Sequence, residues 1–468
     1  LRPLARQARQ GLKLQAQAQA YRCGEKLQPY LIRAAPLPSR KRESVRNEQG
    51  LSHLQRAKHR HRLEQPLPPP DMAIFSKCEV TAGPHGQQVV ATAPVDPGTA
   101  LVVDEEVIFA VECQHMQSRC ALCCCTCEEE VTGVACKACD ARCARDPSLQ
   151  RWADAAQLLG PAQGSVALCA AALAAGTIDF SKLVQDSREL DSRTLQIFQL
   201  VAGNLGRITK RTEEDCFACI QAARLNAHAL VDHAAGSTPG LDRFDDLTGV
   251  QLGQLLSEPL SRFDHACDAN AYLSVDIRPG LPIRATVRSL RAISPHEPVT
   301  LCYLPHAGNT TEIRRQRLQE AYDFKCECRL CASTTLDALL RCPRGPPEEA
   351  IKCLDGAWTA LSVDNNEAAD EIGRRADDAW RALPPTHGFK LQLDLLRITT
   401  KARLRASDLD LRCRMFLGAL AVSPELTVAA TDPLTRARVL FLGGDVDAAR
   451  ALAAVCLGVD GARAAFPN

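Results

Sequence analysis

Apolar positions follow three different rhythms along the chain. After residue 73 they alternate with polar ones over short stretches: GQQVVAT at 86–92, a DPG turn at 96–98, then ALVVDEEVIFAV at 100–111. A period of two bounded by turn residues predicts β-strands. Over 145–235 the spacing lengthens to a helical one and the segment turns rich in Ala and Leu. Residues 246–304 return to strands, with AYLSVDI, a turn at Pro279-Gly280, PIRATVRSL and PVTLCYL. TTEIRRQRLQEAYDF at 310–324 places Arg and Glu at i,i+4 spacing and predicts a helix. From 346 to 468 helix follows helix, broken at LPPTHG (383–388), SPEL (423–426) and LGGD (442–445). The 3.6-residue period there predicts stacked antiparallel helix pairs without a strict repeat.

Residues 1–71 follow none of these rhythms. They hold QAQAQA, SRKRES, AKHRHR and a PLPPP stop, and their weak apolar pattern predicts disorder. Two readings of this tail stay open: a basic targeting arm, or sequence upstream of a start at Met72. In either case it is expected to be dispensable for the stability of the rest. The tail also reshapes the charge picture. The net charge is +1, yet residues 1–70 carry 15 Lys and Arg against 4 Asp and Glu, and the remainder is acidic by 10. A neutral average thus covers a basic arm on a mildly acidic body. With 468 residues, 46% hydrophobic, the chain can bury a sizeable core and divide into several domains. Its composition excludes collagen, a fully disordered chain and a porin-like barrel. The most apolar run, SVALCAAALAAG at 165–176, is shorter than the ~20 residues of a membrane span and predicts a buried helix.

The 23 cysteines change the picture most. Eight lie between Cys120 and Cys143 and three between Cys326 and Cys331. An odd total and tight C-x-C and C-x-x-C spacing argue against a disulfide framework and for thiolates binding zinc in a reducing compartment. Cys326-x-Cys328-x-x-Cys331 can wrap one face of a tetrahedral zinc, and Cys267, in the turn FDHACDANA, is a candidate fourth ligand. Four thiolates leave no open position, so such a site is structural. Upstream, Cys120-x-x-Cys123 and Cys136-x-x-Cys139 form two knuckles, followed by Cys143. Cys124, Cys125 and Cys127 crowd the first, and His115 is a further candidate. One zinc is expected here, with Cys120, Cys123 and Cys143 converging and Cys136 and Cys139 either beside them or in a poorly formed second site. A second would need more ligands than the run after Cys143 supplies. Cys216 and Cys219 read as helix-face thiols, and Cys169, Cys302, Cys413 and Cys456 as small core residues.

In chain order, the glycine-turn strands, the DHACDAN turn with its strand-ending TLCY, and Y-D-F-K-C-E-C-R-L-C resemble the SET-domain lysine methyltransferases. The interrupting cysteine module and the helical C-terminal part make the chain similar to the SET-and-MYND subfamily. The resemblance covers residues 73–334 by motif and the rest by architecture. It implies an α+β chain: a SET-type fold of short β-sheets with a pseudoknot, a zinc-bound MYND-like insertion, a post-SET segment and an all-α, helical-repeat-like (TPR-like) C-terminal domain. The implied boundaries are a tail at 1–71, the first part of SET at 72–118 and the MYND-like module at 119–160. A helical insertion at 161–245, core SET at 246–318, post-SET at 319–334 and the helical domain at 335–468 complete them.

The resemblance also assigns roles. The cofactor-approaching glycine turn matches GPHGQQVVA, with Gly86 as first glycine and Gln88 replacing the second, or with Gly83 and Gly86 as the pair. The family's N-H-S-C-x-P-N matches Asp264, His265, Ala266, Cys267, Asp268, Ala269 and Asn270. Asp264 and His265 would hold S-adenosylmethionine, Cys267 would join the zinc of Cys326, Cys328 and Cys331, and Asn270 would pin the pseudoknot. Tyr303 matches the catalytic tyrosine, Tyr322 would wall a lysine channel, Phe324 would cover the adenine, and Asn226 matches an earlier cofactor-side Asn. Asp264, Ala266, Ala269 and Pro298 depart from the family pattern, and Asp264 adds a charge near the cofactor's carboxylate.

The implied activity is S-adenosylmethionine-dependent protein-lysine N-methylation of a histone or another protein. The implied cofactors are S-adenosylmethionine, one post-SET zinc and one or two MYND-like zincs. The competing reading is a SET-derived scaffold that has lost turnover and grips peptides with its MYND-like module and helical tail. A RING-like ligase on 120–143 lacks late His or Cys ligands. Neither nucleic acid nor a membrane is an expected partner, because the basic charge sits in the tail, and the nucleus or cytoplasm is the expected location.

Overall fold

The computed structural model describes residues 75–83, 86–111, 119–125, 136, 139, 165–176, 178–183, 192–232, 250–278, 280–304, 309–340 and most of 352–466. The tail, His115, Cys127 and Cys143 lie outside the described residues. What is described is α+β. Strands β1 (Cys78–Gly83) and β2 (Gly86–Ala91) form a hairpin. Strand β3 (Ala100–Glu106) pairs with β9 (Arg284–Ser289), which pairs with β8 (Ala271–Asp276). Strand β4 (Ile108–Val111) pairs with β6 (Val250–Leu256), which pairs with β5 (His228–Asp232). The two-residue strands β7 (Asp264–His265) and β10 (Thr300–Leu301) run parallel. Gly253 is required in β6, because a Cβ there would stand 1.9 Å from the Ala110 carbonyl oxygen of β4.

Helix α1 (Ser165–Ala175) packs on β4 and β6, and α2 (Ser192–Thr209) and α3 (Glu213–Asn226) pack on α1 and on each other. The buried Leu168, Cys169, Ala170, Ala171 and Ala172 of α1 explain its all-round apolar sequence. Helix α3 starts where Thr212 Oγ1 accepts from the Asp215 N–H at 3.1 Å, and three acidic residues complement its dipole in the first turn. Sequence periodicity extends the helical region to residue 235, but β5 follows α3 at once. Pairing with β6 decides this, since His228 and Ala229 stand opposite Leu255 and Gln254. A five-residue strand inside a helical rhythm is a tertiary outcome.

Beyond the sheets come α4 (Thr311–Tyr322), α5 (Arg329–Ala332), α6 (Thr334–Leu340), α7 (Asn366–Ala379), α8 (Gly388–Arg403) and α9 (Leu409–Leu420). Then follow α10 (Pro424–Ala430), α11 (Pro433–Leu442) and α12 (Val446–Ala465). Ser423 and Asp432 cap α10 and α11 with side-chain oxygens, each ahead of a proline. Between α7 and α8, Arg397 is paired with Asp377 at 2.6 Å and with Asp370 at 3.7 Å, while Lys390 also pairs with Asp377. Helix α12 returns to the β3-β9-β8 sheet. Its buried Ala453 and Cys456 share a core with Tyr272 and Leu290, and Gly458 lies against the Arg288 guanidinium. Cys169, Cys413 and Cys456 are fully buried, whereas Cys302 is half-buried, with its thiol donating to the Leu304 carbonyl. Cys302 is therefore no core residue; it lies on the irregular backbone after β10. Among the described residues no helix is long and apolar enough to cross a membrane.

Among the described residues, two of the cores have a residue in common. The first gathers the sheets with α1–α3, and the second gathers Cys267, Cys326 and Cys331 with residues of α8–α10 such as Leu391, Phe416 and Leu426. Tyr303 packs against both.

Candidate functional site

The chain reversal after α4 builds the first half of the site. Asp323 takes a left-handed conformation (φ 60°) and caps the helix by donating its N–H to the Gln319 carbonyl. This turn leaves Tyr322 on the helix end and leads Phe324 and the three following cysteines towards the 263–267 segment. The Sγ atoms of Cys267, Cys326, Cys328 and Cys331 all lie within 4.8 Å of one another. Cys267 is 3.5 Å from Cys331 and 3.9 Å from Cys326. Thiolates 2.3 Å from a tetrahedral zinc stand about 3.8 Å apart, so the donor set fits that ion and leaves no open position. The buried Arg314 guanidinium approaches Cys331 Sγ at 3.7 Å and favours the thiolate.

The upstream module brings together Cys120, Cys123, Cys136 and Cys139, again with sulfurs within 4.8 Å. Cys136 and Cys139 thus sit beside Cys120 and Cys123, not in a second site. Cys123 and Cys136 are 3.7 Å apart, and Cys120 Sγ accepts the N–H groups of Leu122 at 3.3 Å and Cys136 at 3.2 Å. A left-handed Cys124 (φ 57°) lets the knuckle turn back, its N–H donating to the Cys120 carbonyl. Cys124 and Cys125 are buried but stand outside the cluster. Cys216 and Cys219, by contrast, are core thiols in the same cluster as Cys169, and burial pushes Cys219 up to about 11.

The segment carrying Tyr303 is held to the DHACDAN turn along its length. The Thr300 N–H donates to Asn270 Oδ1 at 2.8 Å, and Asn270 Nδ2 donates to the Pro298 carbonyl at 2.8 Å. The Ala266 N–H donates to the Leu301 carbonyl. Tyr303 follows β10 by two residues, because only Thr300 and Leu301 have ladder partners. Its backbone N–H donates to His265 Nδ1 at 3.0 Å, and its hydroxyl donates to the Phe263 carbonyl. The Tyr322 ring lies 5.0 Å from Tyr303, and Phe324 lies 6.4 Å from Tyr322 and 5.9 Å from His265. Burial, then the Asp264 carboxylate and Tyr322, raise the Tyr303 hydroxyl well above the ordinary phenol range, so it stays protonated at neutral pH.

The glycine hairpin joins this seam from the other side. The Val299 N–H donates to the Val89 carbonyl and the Ala91 N–H to the Glu297 carbonyl. Gly83 and Gly86 stand opposite each other at the hairpin end. Gly86 has φ +124° and open space where a Cβ would sit, while Gly83 is crowded by Gln88, whose Cδ lies 2.7 Å from a Cβ placed there. Asn226 is buried at the end of α3, its Nδ2 donating to the Ala222 carbonyl at 2.8 Å.

Sequence reading passed over His228, two residues after Asn226. It is buried, its ring stands edge-on to Tyr303 at 5.5 Å, and Nε2 is 3.1 Å from the Leu260 carbonyl, so a neutral ring donates there. Alternation in AHALVD was the available signal. Burial pushes His228 down to about 4. The unfolded chain binds this proton near pH 6.5, the folded site only near 4. Stability is therefore complete above about 6.5 and falls as pH drops through that window, by up to about 3 kcal/mol. Melting temperatures at pH 7 and 5 should diverge less in His228→Phe than in the parent; equal divergence would mean the imidazole is not desolvated.

No protein-family model matches the chain. Over 168 residues it is 25% identical to the histone-lysine N-methyltransferase SMYD3 of Mus musculus, and equally to that of Homo sapiens. That partial sequence similarity is what links the chain to histone-lysine N-methyltransferases. The match spans 33% of this chain and 38% of each relative's length. A solved structure, the SET domain of LSMT bound to lysine and AdoHcy, aligns with a TM-score of 0.31 and 12% identity over 80% of this chain and 90% of that one. In this chain the two four-cysteine clusters occupy different places in the fold. One lies in the insertion after β4 and the other joins the strand segment at 264–267 to the turn after α4.

Proposed function

We propose that the chain is an S-adenosylmethionine-dependent protein-lysine N-methyltransferase. The observation that carries the reading is the enclosure of Tyr303 by His228, His265 and Tyr322, with Asp264 alongside and Phe324 against His265 and Tyr322. Bound S-adenosylmethionine would supply an electrophilic methyl group on its sulfonium. Gly86, with an open backbone, Asn226, Asp264 and Phe324 are the residues that would hold it, and the Asp264 carboxylate can accept from an ammonium. Because the Tyr303 hydroxyl spends its hydrogen on the Phe263 carbonyl, its oxygen lone pairs are left to accept from a substrate amine. That orients the nitrogen for in-line attack, and the Tyr322 wall keeps water out. Zinc would sit in both four-cysteine clusters as a structural ion.

The substrate is a protein lysine, on a histone or another protein, reached in the nucleus or the cytoplasm. The MYND-like module and C-terminal helices offer further peptide-binding surface. Incubating the chain with labelled S-adenosylmethionine and a mixed histone and cytosolic extract tests the reading. A labelled protein band supports it, and a chain that binds no cofactor is a scaffold instead. Asp264→Asn removes a charge beside the cofactor's carboxylate, so cofactor affinity measured by calorimetry should hold or rise. A fall would show that the charge at Asp264, and not only the accepting oxygen that Asn keeps, holds the cofactor's ammonium.

A further inference from the structure

His265 stands at the point where the second cysteine cluster and the tyrosine site touch. Its Nδ1 lies 3.0 Å from the Tyr303 nitrogen, and its Nε2 lies 3.3 Å from Cys267 Sγ. The first contact fixes the tautomer. A backbone N–H can only donate, so Nδ1 presents a lone pair and the single proton of the neutral ring is on Nε2. That proton points at Cys267, a buried cluster sulfur that accepts hydrogen bonds best as a thiolate. The ring is also held by contact, its centroid 5.2 Å from Tyr303 and 5.9 Å from Phe324. Both nitrogens face protein partners, so a cofactor-holding role for this imidazole has no ring atom left to serve it.

We infer that His265 is a positioning residue that couples the Cys267 cluster to the backbone of Tyr303. The cluster sulfur orients the imidazole, and the imidazole fixes the amide of the tyrosine whose hydroxyl faces the amine. Parallel pairing of β7 with β10 sets the register, since His265 stands opposite Leu301, two residues before Tyr303. The irregular backbone after β10 has no ladder partner at Tyr303, so the imidazole replaces one. This rests on the proposed function only in calling Tyr303 catalytic; the coupling itself does not need it.

Two variants divide the imidazole into halves. His265→Asn places an acceptor near Nδ1 and nothing near Nε2. His265→Gln places a donor near Nε2 and nothing near Nδ1. The full chain loaded with zinc is followed by zinc release to a chromophoric chelator and by amide hydrogen exchange at Tyr303. His265→Asn should release one zinc ~10-fold faster, the size of effect typical of a lost outer-shell partner, and keep Tyr303 protected. His265→Gln should hold its zinc like the parent, lose protection at Tyr303, and lower kcat with cofactor affinity unchanged. Either variant decides alone. Parent-like zinc release in His265→Asn, or parent-like protection of Tyr303 in His265→Gln, overturns the coupling. A parent chain that transfers no methyl group defeats the functional reading instead, while zinc release and exchange still decide the role of His265.

Discussion

Tyr303→Phe should slow methyl transfer about a hundredfold and leave cofactor affinity nearly unchanged. Losing one positioned polar group in a dry site removes ~3 kcal/mol of transition-state stabilisation. The ring would still fill the junction between the two cores and keep its contacts with Tyr322 and His265. The fold does not escape untouched, because the hydroxyl donates to the Phe263 carbonyl. Leaving that acceptor without its donor costs about 1–2 kcal/mol, so a fall of a few degrees in melting temperature should accompany the loss of rate. Single-turnover transfer, calorimetric cofactor binding and thermal melting separate these effects. A parent-like rate would show that Tyr303 is not catalytic.

Cys267→Ala should be the more damaging change to the fold. Metal analysis of the parent should find about two zinc ions per chain, one for each four-sulfur cluster. The variant should hold one and lose stability on the order of 5 kcal/mol. Small zinc domains gain roughly 10–16 kcal/mol from their ion, and a domain's whole stability is about 5–15 kcal/mol. The reason lies in where the cluster sits. Cys267, Cys326 and Cys331 share a core with Leu318, Leu391 and Phe416, and Tyr303, Tyr322 and Phe324 pack against it. Loss of the ion would loosen the aromatic walls and the α8–α10 contacts together. Stripping zinc from the parent with a chelator should therefore abolish transfer and lower the melting temperature in parallel. A stripped chain with an unchanged melting temperature would show that four packed thiols suffice.

Much of this was written locally. The period-two runs at 86–92, 100–111 and 271–290 became strands, because each has a face to bury and turn residues at its ends. The i,i+4 pairs of 310–324 became α4, and the proline-preceded caps at Ser423 and Asp432 set the starts of α10 and α11. The C-x-C-x-x-C triple announced a metal site by spacing alone, since three thiolates within six residues have few other uses. What local pattern could not hold is everything that depends on partners distant in sequence. Strand β5 exists because β6 offers it a ladder, against the helical rhythm around it. Cys302 escaped the core because its backbone leaves the sheet one residue earlier. Among the described cysteines of this run, 120, 123, 136 and 139 converge, because the left-handed Cys124 turns the first knuckle back towards the second. The neutral state of His228 and the double engagement of His265 come from burial and from contacts 32 and 38 residues away. The sequence by itself determined the residue types and the short-range geometry of the site. Only the tertiary structure decided which of them share an environment, because desolvation, ring contacts and sulfur clusters are properties of neighbours that the chain brings together only when both cores close.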